Sequence, residues 1–257
     1  MCGQFDDRGE LQRLLGTSFA KVAEKYARSR PRYPVDAVRR SVSTSDTVLE
    51  LGAGTGLLSG IIGEIGPRVH VATDISTEML SELSWAGFQG EIAAAKAEEL
   101  PFRSDTFSVA IAAQAMHWFE LDKAIPEIYR VLTPGGKLAM IWNHRDQSLD
   151  WVREFDRVTE AYLVDSVGSD IGAKIASSGL FTNPKLYNSS IRHVLSANGA
   201  TDLIESFSHV STMDEKTRQE TTEAALKILT RNARDGLSVV IPYITEIYVA
   251  ISRKPEA

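Results

Sequence analysis

Cysteine is almost absent: Cys2 is the single one in 257 residues. One thiol forms no internal disulfide and supplies no cysteine-based zinc site, and such scarcity fits a reducing compartment. Long apolar runs are missing as well. The longest candidate, Val109–Phe119, is broken by Gln114 and His117 and falls short of the ~20 apolar residues that span a bilayer. The start, Met1-Cys2-Gly3-Gln4-Phe5-Asp6-Asp7, has neither a basic residue nor an apolar stretch, so no signal peptide is expected. No basic run occurs and the formal charge is −6, which lacks the electrostatic footprint of a nucleic-acid binder. What is present is ordinary for a packed chain: 43% hydrophobic and 24% charged residues, with 18 Gly and 9 Pro. These values predict a cytoplasmic protein, monomer or homodimer, that handles a small molecule without nucleic acid or membrane. The length is enough for one sheet-centred domain with helical additions.

Apolar periodicity divides the chain into three stretches. In residues 1–45, Phe19, Val22, Ala23 and Tyr26 recur at helical spacing, and the run ends where Pro31 and Pro34 forbid continuation. In residues 46–145 short apolar strands alternate with helices. Strands are predicted at Thr47–Leu51, Val69–Thr73, Ile92–Ala97, Phe107–Ala113 and Lys137–Trp142, with helices at Leu57–Ile65, Thr77–Ala86 and Asp122–Leu132. Such alternation makes right-handed βαβ units and a parallel sheet buried on both faces. Residues 146–257 read as mostly helical: Leu149 to Tyr162, Asp202–His209 and Asp214–Ala233. A last β-branched strand follows at Ser238–Ser252. Pro242 lies inside that strand and has no N–H, so regular pairing begins after it or a bulge forms there.

The chemistry sits in Val48-Leu49-Glu50-Leu51-Gly52-Ala53-Gly54-Thr55-Gly56, between the first strand and the first helix. Glycines there permit a sharp turn and close approach of a ligand to the main chain. In a doubly wound sheet this edge is where ligands bind. A nicotinamide-binding loop is the rival reading, but its third glycine position falls on Leu57. The second strand ends at Asp74, about 20 residues past Gly52, where a carboxylate accepts the hydroxyls of an adenosine ribose. The alternative for Asp74 is a helix N-terminal acid.

With these residues in hand, the sequence resembles the class I S-adenosylmethionine-dependent methyltransferases. Within them it is similar to the small-molecule branch that contains trans-aconitate methyltransferase and related type 11 enzymes. Glu50–Gly56 is similar to that family's first motif and Asp74 to its ribose-binding acid. Ala97-Glu98-Glu99-Leu100-Pro101-Phe102 resembles the segment that holds the adenine. Gln114-Ala115-Met116-His117-Trp118-Phe119 resembles the end of the fourth strand beside the sulfonium. Arg130–Gly136 is similar to the turn into the fifth strand, and Phe19, Ala23, Tyr26, Arg30, Pro31, Tyr33 and Pro34 to an N-terminal cap. The resemblance implies a Rossmann-like α/β fold, a doubly wound sheet of seven strands with the last antiparallel. An N-terminal helical cap and a helical insertion before the last strand complete it.

The resemblance further implies S-adenosyl-L-methionine as cofactor, with S-adenosyl-L-homocysteine as product. The residues expected at the cofactor are Tyr26, Arg30, Glu50, Gly52, Ala53, Gly54, Asp74, Ile75, Met79, Ala97, Glu98 and Gln114. Gly56 is expected to serve helix packing. His117 and His144, after the fourth and fifth strands, are candidate proton acceptors or hydrogen-bonding walls. Trp118 is either a partner for the sulfonium or a core aromatic. Asn143 and Arg145 are candidates for the acceptor side, and His70, His193 and His209 are expected to be structural. No metal ligand set is apparent. Methyl transfer to a metabolite is the expected activity, and a cofactor-binding scaffold without turnover is the alternative.

Overall fold

The computed structural model describes residues 29–159, 167–233 and 238–256. The expected helix at Phe19–Tyr26 lies outside these residues. In chain order the elements are α1 (Val35–Val38), β1 (Thr47–Leu51), α2 (Leu57–Ile65), β2 (Val69–Asp74), α3 (Thr77–Trp85), β3 (Glu91–Ala94) and β4 (Phe107–Ala113). Then come a 3-10 turn (Met116–Trp118), α4 (Leu121–Val131), β5 (Leu132–Arg145), α5 (Asp150–Val158) and α6 (Val167–Ser177). The chain continues with β6 (Lys185–Ser196), α7 (Ala197–Glu205), α8 (Ser208–Ser211), α9 (Glu215–Arg231) and β7 (Ser238–Ile251). The contacts group the chain into two compact units. One comprises Pro31–Arg145, Val164–Arg192 and Pro242–Ala257; the other comprises Met1–Arg30, Asp146–Leu163 and His193–Ile241.

The first unit is built on a seven-stranded sheet of order β3-β2-β1-β4-β5-β7-β6. β1 pairs in parallel with β2 and β4, β2 with β3, and β4 with β5, while β7 runs antiparallel to β5. Strand residues alternate between two cores, as the pleat requires. Leu49, Leu51, Ala110, Ala112, Leu138, Met140 and Trp142 join Ile125 and Ile128 of α4 on one face. Val48, Val109, Ile111, Ala139 and Ile141 join Leu58, Ile61 and Ile62 of α2 on the other. Each Val, Leu, Ile and Met side chain among them contributes about 1.5–3 kcal/mol by leaving water, so these central strands anchor everything placed on their ends.

Pairing between β5 and β7 runs from Arg145↔Tyr243 to Lys137↔Ile251. It starts at the residue after Pro242, as the missing N–H dictates. The sequence did not disclose β6 or α6. β6 is an edge strand whose residues alternate between exposed and half-buried over most of its length, so it lacks the apolar alternation that marks a half-buried strand. β3 is shorter than expected and β5 longer, with an irregularity between Phe107 and Val109 where the β4–β5 register shifts. The predicted helix Asp202–His209 is two helices, α7 and α8.

In the second unit, α7 is capped by Ser196, whose hydroxyl accepts the Gly199 N–H, and α9 by Asp214, which accepts the Thr217 N–H. Val152, Phe155, Leu203, Phe207 and Leu229 are buried, and the rings of Phe155 and Phe207 meet edge to face at 6.3 Å.

Gly56 begins α2 at φ +91°, and a Cβ there would lie 2.4 Å from Cδ1 of Leu83 on α3. Both backbone and packing therefore demand glycine. Gly56→Ala is expected to lower stability by at least ~1–3 kcal/mol, read as a shifted midpoint in urea. An unchanged midpoint would refute this account of the contact between α2 and α3.

Candidate active site

The loop from β1 to α2 is fastened to the end of β2. The Gly54 N–H donates to Asp74 Oδ2 at 2.8 Å, and the Ala53 N–H donates to the Thr73 carbonyl at 2.9 Å. Asp74 Oδ1 accepts the Ser76 N–H at 2.9 Å, and Ser76 caps α3 by accepting the Met79 N–H. Gly54 holds φ +57°, and a Cβ on it would meet no atom within 4 Å, so the loop presents bare backbone. Each Asp74 oxygen has a second lone pair for a hydroxyl donor. Burial pushes the Asp74 carboxyl up from its ordinary range, and the N–H groups of Ser76 and Gly54 oppose that rise. Beside it Ile75 is 68% exposed while Met79 and Ala53 are buried.

Glu50 was expected at the cofactor, but its carboxylate turns beneath the loop. It is 1% exposed, accepts the Ser59 hydroxyl at 2.7 Å and lies 2.9 Å from His70 Nε2. Its carbonyl accepts the Thr73 hydroxyl at 2.9 Å. Glu50 and the structural His70 thus tie β1, β2 and α2 together under the glycines. Gly52 packs against the segment after β4, where a Cβ would come within 2.6 Å of Ala115 Cβ. Sequence reasoning passed over Thr55. Its buried hydroxyl has no hydrogen-bond partner among the described residues, and its place inside the loop was the available signal.

The remaining expected residues separate by strand. Ala97 is buried, and Glu98 accepts the Glu120 N–H at 2.6 Å. Their segment is pinned by Arg130, which donates to the carbonyls of Leu100 and Phe102, and by Glu127, which accepts the Leu100 N–H. Gln114, at φ +53°, donates from Nε2 to the Asn143 carbonyl at 3.0 Å. Asn143 Oδ1 accepts the Thr245 hydroxyl at 2.6 Å, and its amide donates to the Pro31 carbonyl at 3.4 Å. The 3-10 turn carries His117, with its ring 4.8 Å from that of Trp118. His144 Nε2 lies 3.4 Å from Glu246 Oε2. Strand alternation sets Asn143 and Arg145 on the face of β5 opposite His144, so the three do not converge. Arg30 belongs to the other unit, where it donates to the Ser206 hydroxyl and carbonyl, both at 3.1 Å, and lies over Phe207. Tyr26 lies outside the described residues. Among those residues no group of three or more His, Cys, Asp or Glu gathers to hold a metal, and no helix is long and apolar enough to cross a membrane.

A sheet of this order with its last strand antiparallel, a glycine loop after β1 and an acid closing β2 defines the Rossmann-like methyltransferase fold. Residues 49–140 match the methyltransferase domain family. An uncharacterized methyltransferase of Mycobacterium bovis is 32% identical over 237 residues, covering 91% of this chain and 95% of that protein. The chain belongs to the S-adenosylmethionine-dependent methyltransferases. Among solved structures, a type II methyltransferase from Anaeromyxobacter dehalogenans shares the fold with TM-score 0.62 and 22% identity, over 88% of this chain and 99% of that one. A Haemonchus contortus phosphoethanolamine N-methyltransferase, solved with S-adenosylhomocysteine, shares it with TM-score 0.50 and 17% identity over 86% of this chain and 52% of that one.

Burial holds His117 well below the usual imidazole range, at about 4 against 6.5, so the ring is neutral at physiological pH. A depressed folded value means that the unfolded chain takes up the proton first. Stability is therefore full above pH 6.5 and falls as the pH drops toward 4, by up to about 1.4 kcal/mol per pH unit. Urea titrations between pH 7 and 5 are expected to show this slope in the wild type and to lose about one proton's worth of it in His117→Gln. Equal slopes would contradict the burial argument.

Proposed function

We propose that the protein transfers the methyl group of S-adenosylmethionine to a small-molecule metabolite, with the β1–α2 loop and Asp74 holding the cofactor. The observation that carries this reading is the closed loop itself: bare backbone at Gly54, a carboxylate with lone pairs in reserve, and a buried Thr55 hydroxyl that awaits a partner. These groups fit a nucleoside bearing an amino acid: the Asp74 oxygens for ribose hydroxyls, exposed Ile75 with Met79 for the adenine face, and Thr55 for the polar tail. Ala97, Glu98 and Gln114 complete the expected surround, and Arg30 and Tyr26 are the candidates from the N-terminal residues. When bound, S-adenosylmethionine supplies an electrophilic methyl group on a sulfonium.

The protein's part is positioning. Alignment of a nucleophile at about 3 Å accounts for ~7–11 kcal/mol of such a barrier. His117, held neutral, suits a hydrogen-bonding wall beside Trp118. His144, next to a carboxylate, suits proton acceptance, whereas Asn143 and Arg145, on the opposite face of β5, would serve the acceptor only separately from it. The acidic net charge of −6 supports a small acceptor over nucleic acid.

Two outcomes test the reading. Incubation with methyl-labelled S-adenosylmethionine and fractionated cell extract is expected to place label in the low-molecular-mass fraction. Label confined to protein or RNA would overturn the substrate class. Asp74→Asn should weaken S-adenosylhomocysteine binding by about 10–100-fold, the loss of charge-assisted hydrogen bonds worth ~1.5–3 kcal/mol, and should lower the melting temperature of the unliganded protein, because one of its two backbone N–H acceptors is lost. Undiminished affinity in calorimetry would move the ribose acid elsewhere.

A further inference from the structure

We propose that Glu246, on β7, is the positioning residue for His144, holding the ring with Nε2 as its proton-bearing nitrogen; this deepens the acceptor-side reading above and rests on it. The register places Glu246 directly opposite Trp142 and Ile244 opposite His144, so His144, Trp142, Glu246 and Tyr248 share one face of the sheet. His144 Nε2 and Glu246 Oε2 are 3.4 Å apart. That is ion-pair reach, and catalytic contacts of this kind commonly shorten on ligand binding. The Tyr248 hydroxyl donates to the same Oε2 at 3.1 Å, which fixes the carboxylate from its other side. Burial, followed by the charge of Glu246, pushes the Tyr248 phenol up to about 12, so it remains a donor throughout the physiological range.

Two further observations describe the surroundings of this pair. α6 lies so close that a Cβ on Gly168 would sit 2.8 Å from Tyr248 and 3.3 Å from Trp142. Trp142 is 0% exposed, yet its indole N–H has no acceptor among the described residues. A buried donor of this kind costs stability unless something else receives it. A carboxylate beside an imidazole selects the tautomer and stabilises the protonated ring, which is what a proton acceptor requires. Other titratable groups on the surrounding elements are Arg145 on β5, Tyr243 on β7, His117 on the 3-10 turn, and Asp170 and Lys174 on α6, the last paired with Asp122 at 2.9 Å. Among the described residues, Glu246 is a carboxylate within ion-pair reach of the ring.

The test is nitrogen-15 NMR of the full chain labelled at histidine, with His144 assigned by its loss in His144→Asn. In the wild type His144 is expected as the Nε2–H tautomer when neutral. In Glu246→Gln that preference should collapse, at a melting temperature and S-adenosylhomocysteine affinity close to wild type. Tyr248→Phe, which removes the competing donor from Oε2, should instead strengthen the preference, and it decides the matter if Glu246→Gln does not fold. A wild-type Nδ1–H tautomer, an unchanged tautomer in Glu246→Gln, or a weakened preference in Tyr248→Phe overturns the proposal. Failure of S-adenosylhomocysteine to bind the wild type would instead overturn the cofactor reading, whatever the histidine spectra show.

Discussion

A single contact organises the functional edge of this protein: the hydrogen bond from the Gly54 N–H to the Asp74 carboxylate at 2.8 Å. It joins the end of β2 to the loop that leaves β1, and through Ser76 it also sets the start of α3. A charged acceptor in a partly buried place binds amide donors more strongly than a neutral one. The bond therefore holds the loop against the end of β2. The same carboxylate retains a lone pair on each oxygen beyond those that hold the loop.

Beneath the loop a second carboxylate does complementary structural work. Glu50 is buried with His70 and Ser59, and removal of either partner would leave charge unsatisfied in a low-dielectric interior. The two acids of the motif region thus divide their tasks by depth, Asp74 at the rim and Glu50 below it.

On the other side of the sheet, the reversal of β7 has a chemical consequence. An antiparallel strand beside β5 sets Glu246 and Tyr248 on the same face as His144 and Trp142. No βαβ crossover would bring residues so far apart in sequence into this register. The acceptor side therefore depends on a strand that contributes nothing to the glycine loop.

Much of the core was legible from local pattern. β1, α2 and β4 have the bounds that apolar periodicity predicts, because their side chains are buried on the faces that make the pattern. The glycine spacing and Asp74 were legible because a βαβ unit places them by short-range geometry alone. The start of β5–β7 pairing after Pro242 followed from one missing N–H. β6 was not legible, since an exposed edge strand has no apolar alternation to betray it, and neither was the inward turn of Glu50, which depends on Ser59 and His70 from other elements. The opposite faces of Asn143 and His144 were not legible either, because β5 continues to Arg145, beyond the predicted end at Trp142. The sequence by itself determined the cofactor loop and its acid. Only the tertiary structure decided that His144 comes within reach of a carboxylate, because Glu246 reaches it through long-range strand pairing that no local periodicity encodes.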